Sequence, residues 1–237
     1  MRPLHACSAV AALAAVALLA TACAGTPGSD APTSSRTPNE VSTPPIADGV
    51  SEVEVAWLDG GRAIAVLTWG SSSCAPTLGD VAKIDKGIRV TLAASGEKAC
   101  TDDLAPRALM VPVPEGVDVA ADVEVEIVHG QRTDTADLEA LAEAPQGQTD
   151  YQPSAGWFDD DGIVLLTWGS GSCPPIVDDV QTTDAGATVT FQDIDRPCTM
   201  DMAPRLTPLA VPEGRADGAF ELTLVGGGLD GKLAVVG

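Results

Sequence analysis

Several residue types are scarce enough in this 237-residue chain to exclude functions. Two histidines, His5 and His129, leave almost nothing on which to build a zinc site or a Ser-His-Asp triad, and His129 lies beside Gly130 at a strand end. No two of the six cysteines have a C-x-x-C spacing, which excludes zinc-ribbon and thioredoxin-like chemistry. Thirteen Lys and Arg face 34 Asp and Glu, a net charge of −21. Such a surface repels DNA and RNA, because nucleic-acid binding rests on neutralising phosphates, so no nucleic-acid partner is expected. The same charge keeps a chain soluble and apart from its copies. The longest apolar run, residues 9–20, is too short to cross a bilayer. Aromatics are few as well, with 4 Trp, 3 Phe and 1 Tyr.

What the chain does have is a stretch written twice. Residues 67–81 and 166–180 agree at 10 of 15 positions, including Leu-Thr-Trp-Gly-Ser-x-Ser-Cys around Trp69 and Trp168. The copies lie 99 residues apart, the size of a small domain and well beyond the roughly 20 to 50 residues of a solenoid unit. A second paired block follows each copy: Cys100, Thr101, Asp103, Ala105, Pro106, Arg107 and Cys198, Thr199, Asp201, Ala203, Pro204, Arg205. Equivalent modules should fold equivalently, which favours Cys74 with Cys100 and Cys173 with Cys198 over the two crossed pairings.

The N-terminus reads as an address. Arg2 precedes the apolar run, and Leu18, Leu19, Ala20, Thr21 and Ala22 lead to Cys23. This resembles the lipobox of bacterial lipoproteins. The resemblance implies cleavage after Ala22, a diacylglyceryl group on the Cys23 sulfur, and a membrane partner reached through that anchor on the extracytoplasmic face. Residues 1–22 are then signal peptide. Residues 23–49, rich in Pro, Ser, Thr and Gly, carry too few large apolar side chains to offset ordering entropy and read as a linker.

Period-two alternation marks half-buried strands at Val53, Val55, Trp57, at Ile88, Val90, Leu92 and at Val123, Val125, Ile127. Residues 63–68 are apolar on both phases and read as a central strand. Asp85-Lys86-Gly87, matched by Asp184-Ala185-Gly186, suggests a three-residue hairpin loop. About six short strands per module predict an all-β fold of two tandem antiparallel β-sandwich modules, immunoglobulin-like, at 50–131 and 151–237, with one disulfide each. Residues 136–143 read as a short helix, capped by Thr135 and ended by Pro145, within a linker over 132–150.

If the disulfides form, Ser71, Ser73, Asp103 and Arg107 share one neighbourhood, and Ser170, Ser172, Asp201 and Arg205 another. They fit either an anion site built from Arg, hydroxyls and loop N–H groups or a structural staple with Asp paired to Arg. The duplication favours the staple, because folding determinants must recur and a site need not. Trp69 and Trp168 fit core anchors, with sugar-stacking platforms as the rival. Asp159-Asp160-Asp161-Gly162 resembles half a calcium loop but lacks the closing ligands, so it reads as an acidic turn, and no metal ligand set or cofactor is expected. The expected function is a tethered, non-enzymatic binding or structural lipoprotein whose protein or small-molecule ligand is not specified by the sequence. The alternatives are a hydrolase using the Ser, Asp and Arg sets, and a receptor for a small ligand or cation.

Overall fold

A computed structural model describes residues 53–143, 145–183, 185–211 and 218–237. Residues 1–49, expected to be a signal peptide, Cys23 and a linker, lie outside the described residues. Those residues form fourteen strands with no α-helix: β1 Val53–Leu58, β2 Ala63–Gly70, β3 Thr77–Ile84, β4 Gly87–Ala93, β5 Ala105–Pro112, β6 Val123–His129, β7 Arg132–Leu138, β8 Ser154–Trp157, β9 Gly162–Gly169, β10 Val177–Thr183, β11 Gly186–Phe191, β12 Ala203–Ala210, β13 Glu221–Val225 and β14 Gly231–Val236. Each sequence copy is a seven-strand unit. Both disulfides join the expected partners, Cys74 to Cys100 and Cys173 to Cys198.

In the first repeat β1-β2-β5 form one layer and β3-β4-β6-β7 another. The second repeats this order, except that Val235 and Val236 of β14 pair in parallel with Ala155 and Gly156 of β8, joining its two layers into one seven-stranded sheet. The immunoglobulin-like expectation is corrected here: β4 lies beside β6 in parallel, as β11 does beside β13, an adjacency that the immunoglobulin order lacks. The parallel neighbour also explains Gly87. It pairs with Ile84, so the loop has two residues rather than three. A Cβ on Gly87 would lie 2.0 Å from the Glu124 carbonyl oxygen of β6, and one on Gly186 would lie 2.4 Å from that of Glu221.

The helix expected over 136–143 does not form. Residues 132–138 pair along their whole length with β6, and β14 is their counterpart in the second repeat. The helix propensity of Ala, Leu and Glu is worth a few tenths of a kcal/mol per residue and yields to a complete ladder. The first repeat therefore extends into the segment read as linker.

Each repeat encloses its own core. Val55, Trp57, Ile64 and Val66 meet Ile88, Val90, Val125 and Ile127 in the first, and Trp157, Ile163 and Leu165 meet Val189, Phe191, Leu222 and Leu224 in the second. A third core lies between repeats, where Ala56, Leu58, Ala65 and Leu67 pack on Val164 and Leu166, with Met110, Phe158, Trp168 and Leu206 at its margin. This is why β2 and β9 are apolar on both phases: one face looks into its own repeat and the other onto its neighbour. The described residues of both repeats accordingly belong to one compact unit. Layers stack one on the next, as coils of a β-solenoid do, rather than standing as two separate immunoglobulin-like sandwiches.

Candidate functional site

The duplicated residues converge at one corner in each repeat. Trp69, the last residue but one of β2, pairs with Pro106 of β5, and Arg107 lies over the Gly70 backbone; Trp168, Pro204, Arg205 and Gly169 repeat the arrangement. The Arg107 Nη atoms donate to the carbonyls of Trp69 (2.9 Å) and Cys74 (3.2 Å), and those of Arg205 to Trp168 (2.8 Å) and Cys173 (3.1 Å). Glycine is required beneath the guanidinium. A Cβ at Gly70 or Gly169 would sit 2.9 Å from the arginine Cζ, and their φ values of +154° and +153° disfavour a side chain.

The aspartates do different work from the one expected. Asp103 does not pair with Arg107; it accepts the Ser72 N–H (3.1 Å) and the Thr101 hydroxyl, as Asp201 accepts the Gly171 N–H and the Thr199 hydroxyl. Ser73 Oγ accepts the Thr101 N–H at 2.9 Å and Ser172 Oγ the Thr199 N–H at 3.0 Å. Ser71 bonds Thr101 at 2.9 Å and Ser170 bonds Thr199 at 2.8 Å, hydroxyl to hydroxyl. All eight polar residues singled out in the sequence are thus brought together, four per corner. Thr101 and Thr199 join them, and the sequence showed these two only as matched letters in the second block.

The charges fit this mutual satisfaction. The Thr101 hydroxyl, then Ser72, holds the Asp103 carboxyl down to about 2, and Thr199 and Gly171 hold Asp201 below its usual range. Burial lowers Arg107 and Arg205, which remain cationic at any physiological pH. A loop N–H that could cradle an anion already holds the chain's own carboxylate. The cations point at backbone carbonyls, that of Ser71 among them at 3.5 Å from Arg107. In each corner the serine hydroxyls bond the threonine hydroxyl and the carboxylate grips the loop N–H, which is the chemistry of a staple.

The four tryptophans divide into two kinds. Trp57 and Trp157 are core, 1% and 7% exposed. Trp69 and Trp168 are half-buried, and Trp168 meets Tyr151 edge to face at 5.1 Å between ring centroids. Tyr151, the only tyrosine, carried no signal in the sequence beyond its rarity. His129 is exposed, as are Met200 and Met202.

Between the repeats, polar contacts fix the connecting segment to the first repeat. Arg62 Nε donates to the Gly147 carbonyl at 3.2 Å, Thr149 Oγ1 to Asp59 at 3.1 Å, and the Asp59 N–H to Ser154 Oγ at 2.9 Å. At the other end of this seam Glu54 of β1 faces the turn that contains Asp159 and Asp161. Burial first, then those two carboxylates, raises Glu54 to about 7, and burial raises Asp159 also. Within the turn Asp159 Oδ1 accepts the Asp161 N–H at 3.0 Å. A carboxyl raised by folding stabilises the fold fully below its unfolded pKa, and that stability is lost as pH rises through its folded value. Stability should therefore fall between about pH 4.5 and 7.5, a window in which Asp103 and Asp201 stay ionised and contribute no slope. Glu54→Gln is expected to flatten this decline and to gain about 1 kcal/mol at pH 8, after discounting for partial exposure. Urea midpoints at pH 5 and 8 measure it; an unchanged slope in the variant would remove Glu54 as the cause.

No protein-family model matches the chain, and no curated protein or solved structure is significantly similar to it.

Proposed function

We propose that the chain is an extracytoplasmic bacterial lipoprotein, held to the membrane through Cys23, in which the stapled β-repeats serve as a non-enzymatic binding or structural body. The observation that carries this reading is the pair of disulfides, one per repeat, since such bonds persist outside the reducing cytoplasm. The lipobox-like run before Cys23 supplies the anchor, and two acyl chains suffice for stable attachment where one does not. The Ser, Asp and Arg sets support a structural role for the corners over a hydrolase, because these side chains are engaged in holding their own loop.

The test is made in a lipoprotein-processing bacterial host. The full chain is expected in the detergent phase of a Triton X-114 partition with labelled palmitate incorporated, and Cys23→Ser is expected to lose both. Label that persists in the variant would contradict anchoring at Cys23.

A further inference from the structure

We propose that the cleft between Tyr151 and the β13–β14 hairpin is a binding site for a neutral glycan, with one pyranose ring stacked on Tyr151 and its hydroxyls taken by Gln152, Asp230 and Lys232. This deepens the binding reading above and rests on it.

The cleft has a volume of about 390 Å³, bounded by Tyr151, Gln152 and Pro153 on one side, Trp168 at its back and residues 228–233 on the other. That is within the usual range for a small-ligand site of roughly 300 to 1,000 Å³. Tyr151 lines it, 52% exposed, and meets Trp168 in a T-shaped contact at an interplanar angle of 87°. A braced, half-exposed ring presents a flat apolar face at low entropic cost.

The backbone is strained to put it there. Tyr151 has φ +59°, one of two non-glycine residues with positive φ among those described. A bulky side chain rarely occupies this region, and such strain persists only where surrounding contacts impose it. Here those contacts are visible. The Tyr151 N–H donates to Thr149 Oγ1 at 3.2 Å, Thr149 is itself bonded to Asp59, and the Gln152 N–H donates to Asp150 Oδ1 at 3.0 Å. The turn is thus pinned to the first repeat on one side and locked by its own aspartate on the other.

The rim is polar in a way that suits hydroxyls. Gln152 is exposed, and its side-chain amide has only a 3.5 Å contact to the Asp150 carbonyl. Asp230 uses Oδ1 for the Gly226 N–H, which leaves Oδ2 to accept from a ligand. Lys232 holds Glu221 at 2.6 Å with one of three ammonium hydrogens. Planar amide and carboxylate groups beside an aromatic face match a pyranose, whose C–H bonds stack while its equatorial hydroxyls reach outward. The net charge of −21 disfavours phosphorylated or otherwise anionic ligands of similar size, which is why the glycan is neutral.

The cleft is also unduplicated. In the first repeat the corresponding hairpin joins β6 to β7 through Gly130 and Gln131 alone, whereas residues 226–230 separate β13 from β14. The matched corners hold the fold in both repeats, and the insertion opens a cleft in one.

The test is calorimetric titration and saturation-transfer NMR of the full chain with chitotriose, cellotriose and maltotriose. At least one is expected to saturate a single site with a Kd of about 0.1 to 3 mM. Tyr151→Gly, which keeps the positive φ, should weaken binding at least about tenfold, and Tyr151→Phe should hold it within about threefold, with melting temperature little changed in both. Failure of all three sugars to bind below about 10 mM, or Tyr151→Gly binding as tightly as the parent, would overturn the proposal. Membrane attachment through Cys23 is measured separately, so such a result would remove the glycan and leave the anchor standing.

Discussion

Loss of either disulfide is expected to lower the melting temperature by roughly 10 °C, and loss of both to leave no cooperative fold at 37 °C. The bridges close segments of 26 and 25 residues, for which chain entropy gives about 3.5 kcal/mol each. Two such terms are comparable with the roughly 5 to 15 kcal/mol by which domains are stable at all. The native structure gives little to replace them. Strands β3 and β10 lie at sheet edges and are largely exposed or half-buried along their length. Residues 94–104, which lead through Cys100 to β5, are nearly all exposed. The bridge, the Arg107 fork and the Asp103 cap therefore restrain a hairpin that burial alone holds weakly. Thermal melts with and without reductant, and of the paired Cys→Ala variants, measure the effect; a melting temperature unmoved by reduction would mean that the corners are held by their hydrogen bonds alone.

Gly156→Val is the second large effect, at about 3 kcal/mol and a fall in melting temperature of roughly 10 °C. A Cβ at Gly156 would lie 2.3 Å from the Trp57 carbonyl oxygen and 3.3 Å from the Ala56 Cβ. The first neighbour is backbone inside a paired strand and cannot swing aside, so the layers must part. Parting them uncovers the third core, where Ala56, Leu58 and Leu67 are fully buried against Val164 and Leu166. The variant should destabilise both repeats together even though the residue belongs to the second. Destabilisation confined to one repeat, read from hydrogen exchange in β4 and in β11, would contradict a shared core.

Much of this was legible in advance, for physical reasons that also mark where legibility stops. Alternation in β1, β4 and β6 reports one buried face and is local, so it could be read directly. The two-phase run 63–68 reported two buried faces, but the second neighbour was invisible because Val164 and Leu166 lie about a hundred residues away. Pairing β4 with β6 in parallel is likewise non-local, and that defeated the immunoglobulin-like expectation. The helix over 136–143 failed because intrinsic propensity is weak beside a ladder that residues 132–138 complete with β6. At the corners the residues grouped from the sequence do meet, but Asp103 and Arg107 do not bond each other: they recur together because they grip opposite polarities of one loop, its N–H and its carbonyls. Glu54 and Tyr151 had no signal, since one owes its environment to a turn in the other repeat and the other is a single residue in a loop.

The two repeats, joined by a common core and by a connecting segment bonded to Arg62 and Asp59, are expected to unfold as one. Differential scanning calorimetry of the oxidised full chain tests this most directly. A single transition with calorimetric and van't Hoff enthalpies in agreement is the predicted result. Two separable transitions, one of them retained by residues 151–237 expressed alone, would contradict it.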